Sequence, residues 1–460
     1  METSDKNADK RQLFEEVSVP RALYIMAMPA IASQLITLIY NLADTWFVGR
    51  TNNPYMVASC SLVLPVFMIT IVISNVFGVG GGTLITRLMG SGQDGEASKV
   101  SSACIRMALS SAVIYSALCF LGMTPMLRLL GASDKVLSYS KQYMFFVVVL
   151  GGIPCILNNT LSSLLRSIGL SSKASFGFSM GGVLNILFDP LFMFVLLPDG
   201  WQVMGAAMAT LLSNLVSTMY FVITYRKACK ETILRGPFES EKLSQASLAP
   251  IFGVGIPAAA GIFLFDLCNI VINRLSSSHG DVELAAIGIV LKAERLPLNI
   301  GVGICLGMVP LLAYNYSSGD RKRMDDIFRF GRIVGVGIGL VCVGLYYVFA
   351  PAIMTAFIED ADTVRFGTQF LRARCFATPL MFLCFSMVHF TQAIGRGRAS
   401  FILAVIRQLI FNVPILILLN RLFGMMGIVW TQAVADLFTV IVSYVIYAVI
   451  RKQEGWPAGI

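Results

Sequence analysis

Long apolar runs separated by short polar stretches fill almost the whole chain. Read by length, they predict twelve segments, at residues 26–49, 59–87, 103–123, 139–165, 172–198, 203–226, 248–275, 284–312, 328–350, 364–392, 399–420 and 426–450. Each segment provides the roughly 20 residues that a membrane-spanning helix requires. The pattern therefore predicts an all-α polytopic membrane protein with twelve transmembrane helices.

Composition excludes the other broad classes of protein. Of the 460 residues, 56% are hydrophobic and only 13% are charged, whereas a soluble domain carries about 25% charged residues. The same numbers exclude a disordered chain, which needs low hydrophobicity. The chain begins with a polar segment that ends near Pro20, and the apolar run that follows is too long for the core of a signal peptide. We expect this run to be retained as the first span.

The basic residues predict the orientation of the chain in the membrane. The formal net charge is +9. If the N-terminus is cytoplasmic, most of the 35 Lys and Arg residues fall on the cytoplasmic side of the twelve spans. We therefore expect a multi-pass protein of the cell membrane with both termini in the cytoplasm. The positive charge is explained by these loops, so the lipid bilayer and not nucleic acid is the expected partner.

Several residues recur at a nearly constant distance, which predicts an internal duplication. The matched elements are Pro29 and Asn41 with Pro257 and Asn269, Asn185 with Asn412, Gly169 with Gly395, and Arg226-Lys227 with Arg451-Lys452. Six spans in each half give both copies the same orientation, and transporters of this kind bind substrate at the interface of the repeats. We predict a cytoplasmic segment (1–20), an N-terminal six-helix lobe (21–226), a cytoplasmic linker (227–246), a C-terminal six-helix lobe (247–452) and a cytoplasmic tail (453–460).

The chain lacks the motifs of an enzyme or a cofactor-binding protein. It contains no GxxxxGK[ST] motif and only two His residues, and its ten Cys residues are scattered. The glycines around Gly80 lie inside a predicted span, where close helix packing explains them better than nucleotide binding does. We therefore expect neither enzymatic activity nor a resident cofactor, and the energy for transport must come from an ion gradient or from downhill flow.

Two acidic residues lie inside predicted spans of the first half. Asp44 is in span 1, with Asn41 three residues earlier on the same helical face, and Asp189 is in span 5, with Asn185 four residues earlier. A carboxylate at the bilayer centre costs about 2.5–3.5 kcal/mol on insertion scales, so each of them requires a reason. Two carboxylates that share a site cannot both ionise cheaply, and a proton or Na⁺ would resolve the conflict. We predict a cation-coupling site here.

Neighbouring residues extend this prediction. Pro190 cannot donate a backbone hydrogen bond and crowds the carbonyl one turn earlier, which frees an oxygen atom beside Asp189. Gln34 and Tyr40 lie near Asp44 in span 1, and we regard both as candidates for the substrate cavity.

The second half offers other membrane-embedded charges. Asp266 lies in span 7, where it could pair with Lys292, Glu294 or Arg295 of span 8. Further charges are Arg372, Arg374, Arg407 and Asp436. Charges that pair with one another inside the protein are the simplest explanation, and lining of a substrate cavity is the functional alternative. We take Asp266, Glu294 and Arg295 as the cavity candidates of this half.

An ordered set of motifs from about Pro20 to Lys452 resembles the multidrug and toxic compound extrusion (MATE) family, in particular its MepA-like prokaryotic branch. The motifs are the span around Asn41 and Asp44, FGVGGGTLITRLMG (77–90), NILFDP (185–190), MGAAMAT (204–210), GMVPLLAYNYSSGD (307–320) and AIGRGRAS (393–400). The resemblance implies two six-helix lobes in a V shape and export of cationic amphipathic drugs in exchange for H⁺ or Na⁺.

The resemblance also implies roles for single residues. Asp44 matches the family's acidic residue in helix 1, Asn185 and Asp189 match its helix 5 pair, and Thr210 matches a helix 6 member of the cation site. If the ion is Na⁺, Asp44, Asn185 and Asp189 would ligate it. Some branches use one acid in helix 7 and another in helix 10. Asp266 is the candidate for the first, but span 10 contains no acid, which favours the N-terminal site.

Other functions remain open at the level of sequence. A lipid-linked sugar flippase would share the lobed fold but would need a strongly basic cavity, for which Lys292, Arg295, Arg372 and Arg374 are available. A membrane-embedded enzyme would need a nucleophile–base or metal cluster, and a scaffold or receptor would leave the buried acids unexplained. We expect a monomeric drug antiporter, whose coupling ion, H⁺ or Na⁺, is undetermined by the sequence.

Overall fold

The computed structural model describes residues 11–51, 53–237 and 245–456. Ten of its helices are long and apolar enough to cross a membrane, and two bent helix pairs raise the number to as many as twelve if each pair is one span. We number these spans α1 Val19–Gly49, α2 Pro54–Gly90, α3 Asp94–Leu121, α4 Asp134–Leu150 with Gly152–Ser167, α5 Ser171–Leu196, α6 Gln202–Glu231, α7 Gln245–Ser276, α8 Asp281–Ser318, α9 Arg321–Phe357, α10 Ala361–Arg374 with Ala377–Ala393, α11 Gly397–Phe423 and α12 Met425–Gln453. The predicted all-α membrane fold is confirmed.

The boundaries differ from the predicted ones by a few residues. Helix α1 begins at Val19, several residues before the predicted start of span 1. Helix α6 continues to Glu231 and α7 begins at Gln245, so the connection between the halves is shorter than the predicted linker 227–246. Residues 1–10 of the cytoplasmic segment, residues 238–244 of the linker and residues 457–460 of the tail lie outside the described residues.

The turns after α4 and α10 have the same backbone geometry. Gly169 and Gly395 both adopt a positive φ, of 87° and 80°. Glycine adopts this left-handed conformation without the steric cost that a Cβ atom causes. The recurrence of Gly169 as Gly395 in the sequence therefore marks the same turn in the two lobes.

Two contacts between helices also recur in both lobes. Asn158 of α4 donates from Nδ2 to the backbone oxygen of Asn214 in α6, at 3.1 Å, and Cys384 of α10 donates from Sγ to the backbone oxygen of Asp436 in α12, at 3.6 Å. Cys384 corresponds to Asn158 in the register that relates Gly395 to Gly169. The contacts therefore support the predicted duplication in three dimensions.

The second recurring contact joins the helices that follow. Asn185 of α5 donates to Oγ1 of Thr210 in α6, at 3.3 Å, and Asn412 of α11 donates to Oε1 of Gln432 in α12, at 3.1 Å. The register that relates Thr210 to Gln432 also relates Asn214 to Asp436 of the first contact. The predicted match of Arg226-Lys227 with Arg451-Lys452 falls outside this register, so it does not mark equivalent positions of α6 and α12.

Segments of π-helix interrupt both α5 and α11. In α5 the π-helical segment Leu191–Leu196 directly follows Pro190, and in α11 it covers Ile406–Asn412. A wider turn leaves backbone groups out of the regular hydrogen-bond ladder, and such bulges are frequent at functional sites. The predicted disturbance at Pro190 is thus present as a change in winding.

The two lobes meet closely at the end of the bundle where α1 begins, which we call the N side. A Cβ atom on Gly80 of α2 would lie 2.2 Å from the backbone oxygen of Ile251 in α7, and one on Gly255 of α7 would lie 2.1 Å from that of Val76 in α2. Gly307 of α8 approaches the backbone of α1 as closely. The glycines of span 2 therefore serve close helix packing.

The segment before α1 also joins the lobes on the N side. Residues 11–15 form a helical turn, in which Phe14 is fully buried and stacks on Tyr314 of α8. Arg11 pairs with Asp94 at the start of α3, while Arg323 of α9 donates to the backbone oxygen of Phe14 at 2.6 Å. This segment thus packs against both lobes.

We predict that Gly255→Ala weakens the contact between the lobes. The added methyl group would displace α2 from α7, and overpacking of this kind costs roughly 1–3 kcal/mol. This energy corresponds to about a 5- to 150-fold smaller population of the form closed on the N side. Hydrogen–deuterium exchange of the backbone amides around Val76 and Ile251 should become faster.

The matched control is Gly253→Ala, two residues earlier in α7. Its Cβ atom would meet nothing within 4 Å. We expect wild-type exchange for this variant, and equal effects of the two substitutions would contradict the role assigned to Gly255.

Candidate functional site

Three polar residues of α5 and α6 form a connected group in the N-terminal lobe. The Nδ2 atom of Asn185 lies 3.4 Å from Oδ1 of Asp189, one turn further along α5, and 3.3 Å from Oγ1 of Thr210 in α6. The Thr210 hydroxyl donates to the backbone oxygen of Ala206 at 3.0 Å. Asn185 and Asp189 are both buried. The structure therefore brings together the three residues that the sequence proposed on these two helices.

Helix α1 places Asp44 against this group. A Cβ atom on Gly182 of α5 would lie 2.9 Å from Ile36 and 3.1 Å from Tyr40 of α1, so the two helices pack closely just below the site. Asp44 lies one turn beyond Tyr40, and its charge interacts with that of Asp189. The two acids therefore occupy one electrostatic environment.

Each of these carboxyl groups has a buried oxygen atom that accepts no hydrogen bond from any described residue. The atoms are Oδ1 of Asp44 and Oδ2 of Asp189. A buried polar atom without a partner loses its hydration and gains nothing in return. Carboxylate and hydroxyl oxygens are ligands of a hard cation, and a carboxylate also accepts a proton. The two carboxyl groups and the Thr210 hydroxyl are therefore the groups that a small cation would use here.

Two residues that the sequence did not single out complete the surroundings of Asp44. Cys60 of α2 and Tyr143 of α4 both lie within electrostatic range of its carboxyl group, as does Tyr40 of α1. Tyr143 also interacts with Asp189. Both residues lie in predicted spans, and nothing in the sequence indicates that the fold brings them near Asp44.

The C-terminal lobe has apolar residues at the positions that correspond to the two acids. In the register that relates Asn41 to Asn269, Asp44 corresponds to Ile272, and in the register that relates Asn185 to Asn412, Asp189 corresponds to Leu416. Ile272 and Leu416 are buried in the same apolar cluster. The corresponding pair of positions is thus apolar and buried in the C-terminal lobe, and only the N-terminal lobe carries acids there.

The remaining predicted residues of α1 lie beside this site. Gln34 and Tyr40 are partly buried, and Asn41 is exposed with its backbone oxygen accepting a hydrogen bond from Thr45 at 2.9 Å. Of these, Tyr40 is joined to the acids by its interaction with Asp44. The roles of Gln34 and Asn41 stay predictions.

The charged residues of the second half pair with one another. Glu294 of α8 forms a 2.7 Å ion pair with Arg374 of α10, which is almost completely buried. Asp266 of α7 lies 4.0 Å from Arg295 of α8, and both side chains are about two-fifths exposed. The predicted pairing of Asp266 with span 8 is thus found with Arg295, whereas Glu294 has a different partner.

A second buried ion pair lies in α11 and α12. The guanidinium of Arg407 donates to both carboxylate oxygens of Asp436, at 2.7 and 3.1 Å, and the side chains are 4% and 0% exposed. Among the described residues, Arg372 donates to the backbone oxygen of Tyr347 and Lys292 is exposed. Asp436 therefore has a counter-charge, whereas no basic side chain among the described residues forms an ion pair with Asp44 or Asp189.

We predict that Asp189→Leu leaves the free energy of unfolding unchanged or raises it by up to about 4 kcal/mol, because it removes a buried charge next to a like charge. Asp436→Leu is the matched comparison, since it strands the buried guanidinium of Arg407. It should lower the free energy of unfolding by roughly 3–5 kcal/mol. Thermal unfolding can be followed with a thiol-reactive dye, because eight of the ten cysteines are buried. Equal losses in the two variants would contradict this assignment.

Comparison with known proteins agrees with the fold and the duplication. The MatE family model matches residues 29–191 and again 257–418, one stretch in each lobe. The multidrug export protein MepA of Staphylococcus saprophyticus is 30% identical over 440 residues, which covers 96% of both chains. MepA of Staphylococcus aureus strain MRSA252 is also 30% identical, over 443 residues, with the same coverage.

Solved structures share the architecture at lower sequence identity. A crystal structure of MATE in complex with MaD3S has a TM-score of 0.90 at 22% identity and covers 96% of this chain and 98% of its own. An outward-facing multidrug resistance MATE family transporter of the MOP superfamily has a TM-score of 0.87 at 22% identity, with the same coverage of both chains. The double match of the family model and the similarity over nearly the full length lead to one conclusion: the chain belongs to the MatE family.

Proposed function

We propose that this protein is a multidrug efflux transporter of the cell membrane that exchanges drugs for H⁺ or Na⁺. The observation that carries the proposal is the pair of interacting acids in the N-terminal lobe, Asp44 and Asp189, each of which has a buried carboxyl oxygen without a partner among the described residues. Relatives that are multidrug export proteins support the drug-export part. We also propose that both termini are cytoplasmic, that the protein acts as a monomer, and that it has no enzymatic activity.

The coupling follows from the electrostatics of the site. Two ionised carboxyl groups in one low-dielectric site repel each other, and a proton or Na⁺ bound between them removes the repulsion. Binding would therefore favour a tighter approach of α1 to α5, and loss of the ion would favour separation. A cation moving down a membrane potential supplies about 2.3 kcal/mol per charge per 100 mV, which is available to drive a drug outward.

The contacts between the lobes suggest which state the structure represents. Gly80 and Gly255 close the N side, which we propose to be cytoplasmic. Contact of the lobes on this side would leave a cleft between them open only toward the exterior. Release of this contact on the N side and closure on the opposite side would complete alternating access around a fixed central site.

Motion of the lobes requires contacts that are close but easily released. Glycines such as Gly80 and Gly255 allow helix backbones to touch across the lobe interface without large interlocking side chains. The short distances give such an interface favourable dispersion energy, and this energy is lost when the lobes move apart by a small distance. The segment around Phe14, which contacts both lobes, adds polar contacts on the same side.

We propose cationic amphipathic compounds as substrates. Tyr40 and Gln34 on one lobe and Asp266, Glu294 and Arg295 on the other are the candidates that would face the drug. The pair of Asp266 and Arg295 is long, at 4.0 Å, and both side chains are partly exposed. A cationic ligand could replace Arg295 as the partner of Asp266, whereas the short, buried pair of Glu294 with Arg374 would stay intact.

The pairing of the basic residues argues against a lipid-linked sugar flippase. Such a protein would need uncompensated positive charge for a pyrophosphate group. Two of the four basic residues available for this purpose, Arg295 and Arg374, form ion pairs with Asp266 and Glu294. The other two are Lys292, which is exposed, and Arg372, which donates to a backbone oxygen. Binding of a cationic dye, but not of an anionic lipid analogue, would favour the drug transporter.

We predict that Asp44→Asn and Asp189→Asn each abolish drug resistance in a host that lacks its own efflux pumps. The amide has nearly the same size but can neither release a proton nor offer a charge to Na⁺, so the exchange cycle cannot run. Growth in the presence of a cationic dye or drug measures the effect, together with the amount of protein in the membrane. Asp199→Asn, in an exposed turn, is the control and should retain resistance. Full resistance in both site variants would contradict the proposed coupling site.

The coupling ion can be identified with purified protein in proteoliposomes. We expect efflux of a cationic dye to follow either an imposed pH gradient or an imposed Na⁺ gradient, with choline replacing Na⁺ as the control. Asp189→Asn should remove the response to whichever gradient drives the wild type. If dye efflux is as fast without an ion gradient as with one, the proposed exchange of drug for a cation is contradicted.

A further inference from the structure

The ion pair of Arg407 and Asp436 is unusual because it lies near the middle of two membrane spans and is almost completely buried. The guanidinium of Arg407 binds both carboxylate oxygens of Asp436 in the fork geometry that arginine favours. Burying two charges costs several kcal/mol per ion, and the mutual attraction repays this cost only with good geometry and further hydrogen bonds. The pair therefore requires an explanation beyond stability.

A polar network holds the pair in a fixed position. Gln432 donates to Oδ2 of Asp436 at 2.9 Å, and Asn412 donates to Oε1 of Gln432 at 3.1 Å. The guanidinium of Arg407 also lies over the ring of Phe385, 4.5 Å from its centroid. Each of the two charges thus has partners on more than one side, which keeps them from separating.

The network lies in the C-terminal counterpart of the cation site. Asn412 and Gln432 make the same contact as Asn185 and Thr210, which belong to the proposed coupling site. In the C-terminal lobe this contact continues to a carboxylate, that of Asp436. In both lobes, therefore, the hydrogen bond between these two helices is linked to an acid. Only the C-terminal lobe adds a basic side chain, that of Arg407.

The two charges of the pair are found in one lobe alone. Asp436 corresponds to Asn214 in the register of α6 and α12 described above, and Arg407 corresponds to Met180 in the register of α5 and α11. The N-terminal lobe thus has uncharged residues at both positions. In the C-terminal lobe, the arginine at the position of Met180 and the acid at the position of Asn214 form a unit whose charges cancel.

We propose that Arg407 is a positioning residue that acts as a permanent, covalently attached cation for Asp436. The C-terminal lobe then keeps a single charge state throughout the cycle, and the coupling ion acts on the N-terminal lobe alone. Removal of the guanidinium would turn Asp436, Gln432 and Asn412 into a second site for the coupling ion. This inference rests on the proposed ion-coupled exchange. It extends that proposal by explaining why the C-terminal lobe does not bind the coupling ion.

Other titratable or charged groups surround the pair on every neighbouring helix. They are Cys268 of α7, Glu294 of α8, Arg332 of α9, and Arg374, Cys384 and His389 of α10. Glu294 is paired with Arg374 at 2.7 Å. Asp436 is thus the carboxylate of this group that would lose its counter-charge if Arg407 were neutralised.

The test compares four proteins in proteoliposomes: the wild type, Arg407→Gln, Arg407→Gln with Asp436→Asn, and Arg407→Lys. Dye efflux is measured as a function of the concentration of the coupling ion. For Arg407→Gln we expect dye efflux to depend more steeply on the concentration of the coupling ion, because one additional cation binds. The ion concentration that gives half-maximal efflux should also shift. The double variant, in which both charges are removed with little change in shape, should regain the wild-type ion dependence, and Arg407→Lys should keep it.

Two results would overturn the inference. One is a folded Arg407→Gln protein with the ion dependence of the wild type. The other is a double variant whose ion dependence is shallower than that of the wild type, which would make the pair part of the coupling machinery. If Arg407→Gln does not fold, Arg407→Met, which also removes the charge and keeps Asp436, takes its place, and wild-type ion dependence of that protein would overturn the inference in the same way. Failure of the proposed coupling at Asp44 and Asp189 would appear separately, as ion-independent efflux of the wild type.

Discussion

The structure depends on the cost of burying a carboxyl group in the membrane. Of the acids within the described spans, Asp44 and Asp189 interact electrostatically in the N-terminal lobe, while Asp436 in the C-terminal lobe binds Arg407. A buried carboxylate must find a cation, whether that cation is a side chain or an ion from the solution. Asp44 and Asp189 have no such side-chain cation among the described residues, and this is the basis of the proposed exchange of ions.

Duplication of a six-helix unit gave the protein two copies of the same framework, and the two copies now differ in their chemistry. The contact between Asn185 and Thr210 survives as that between Asn412 and Gln432. At the positions of the acids, the second copy has apolar residues such as Ile272, which lies in an apolar cluster. A symmetric scaffold thus carries the proposed coupling site in one lobe and a self-neutralised network in the other.

Much of this protein follows from the sequence by itself. Apolar runs of about 20 residues or more determine the spans because lipid cannot satisfy backbone hydrogen bonds. The same constraint makes Asp44 and Asp189 conspicuous, since a charge inside such a run requires a reason. The recurrence of Gly169 as Gly395 revealed the duplication because only glycine adopts this turn without strain.

The tertiary structure alone decided which side chains meet. Hydropathy does not specify which face of a span turns toward which neighbour, so the proximity of Tyr143 to the acids and the choice of Arg374 as partner of Glu294 were not visible in the sequence. The pair of Arg407 and Asp436 likewise forms only because α11 packs against α12 in the observed register. Pairing of buried charges is a property of that packing, since residues so far apart along the chain have no local reason to approach each other.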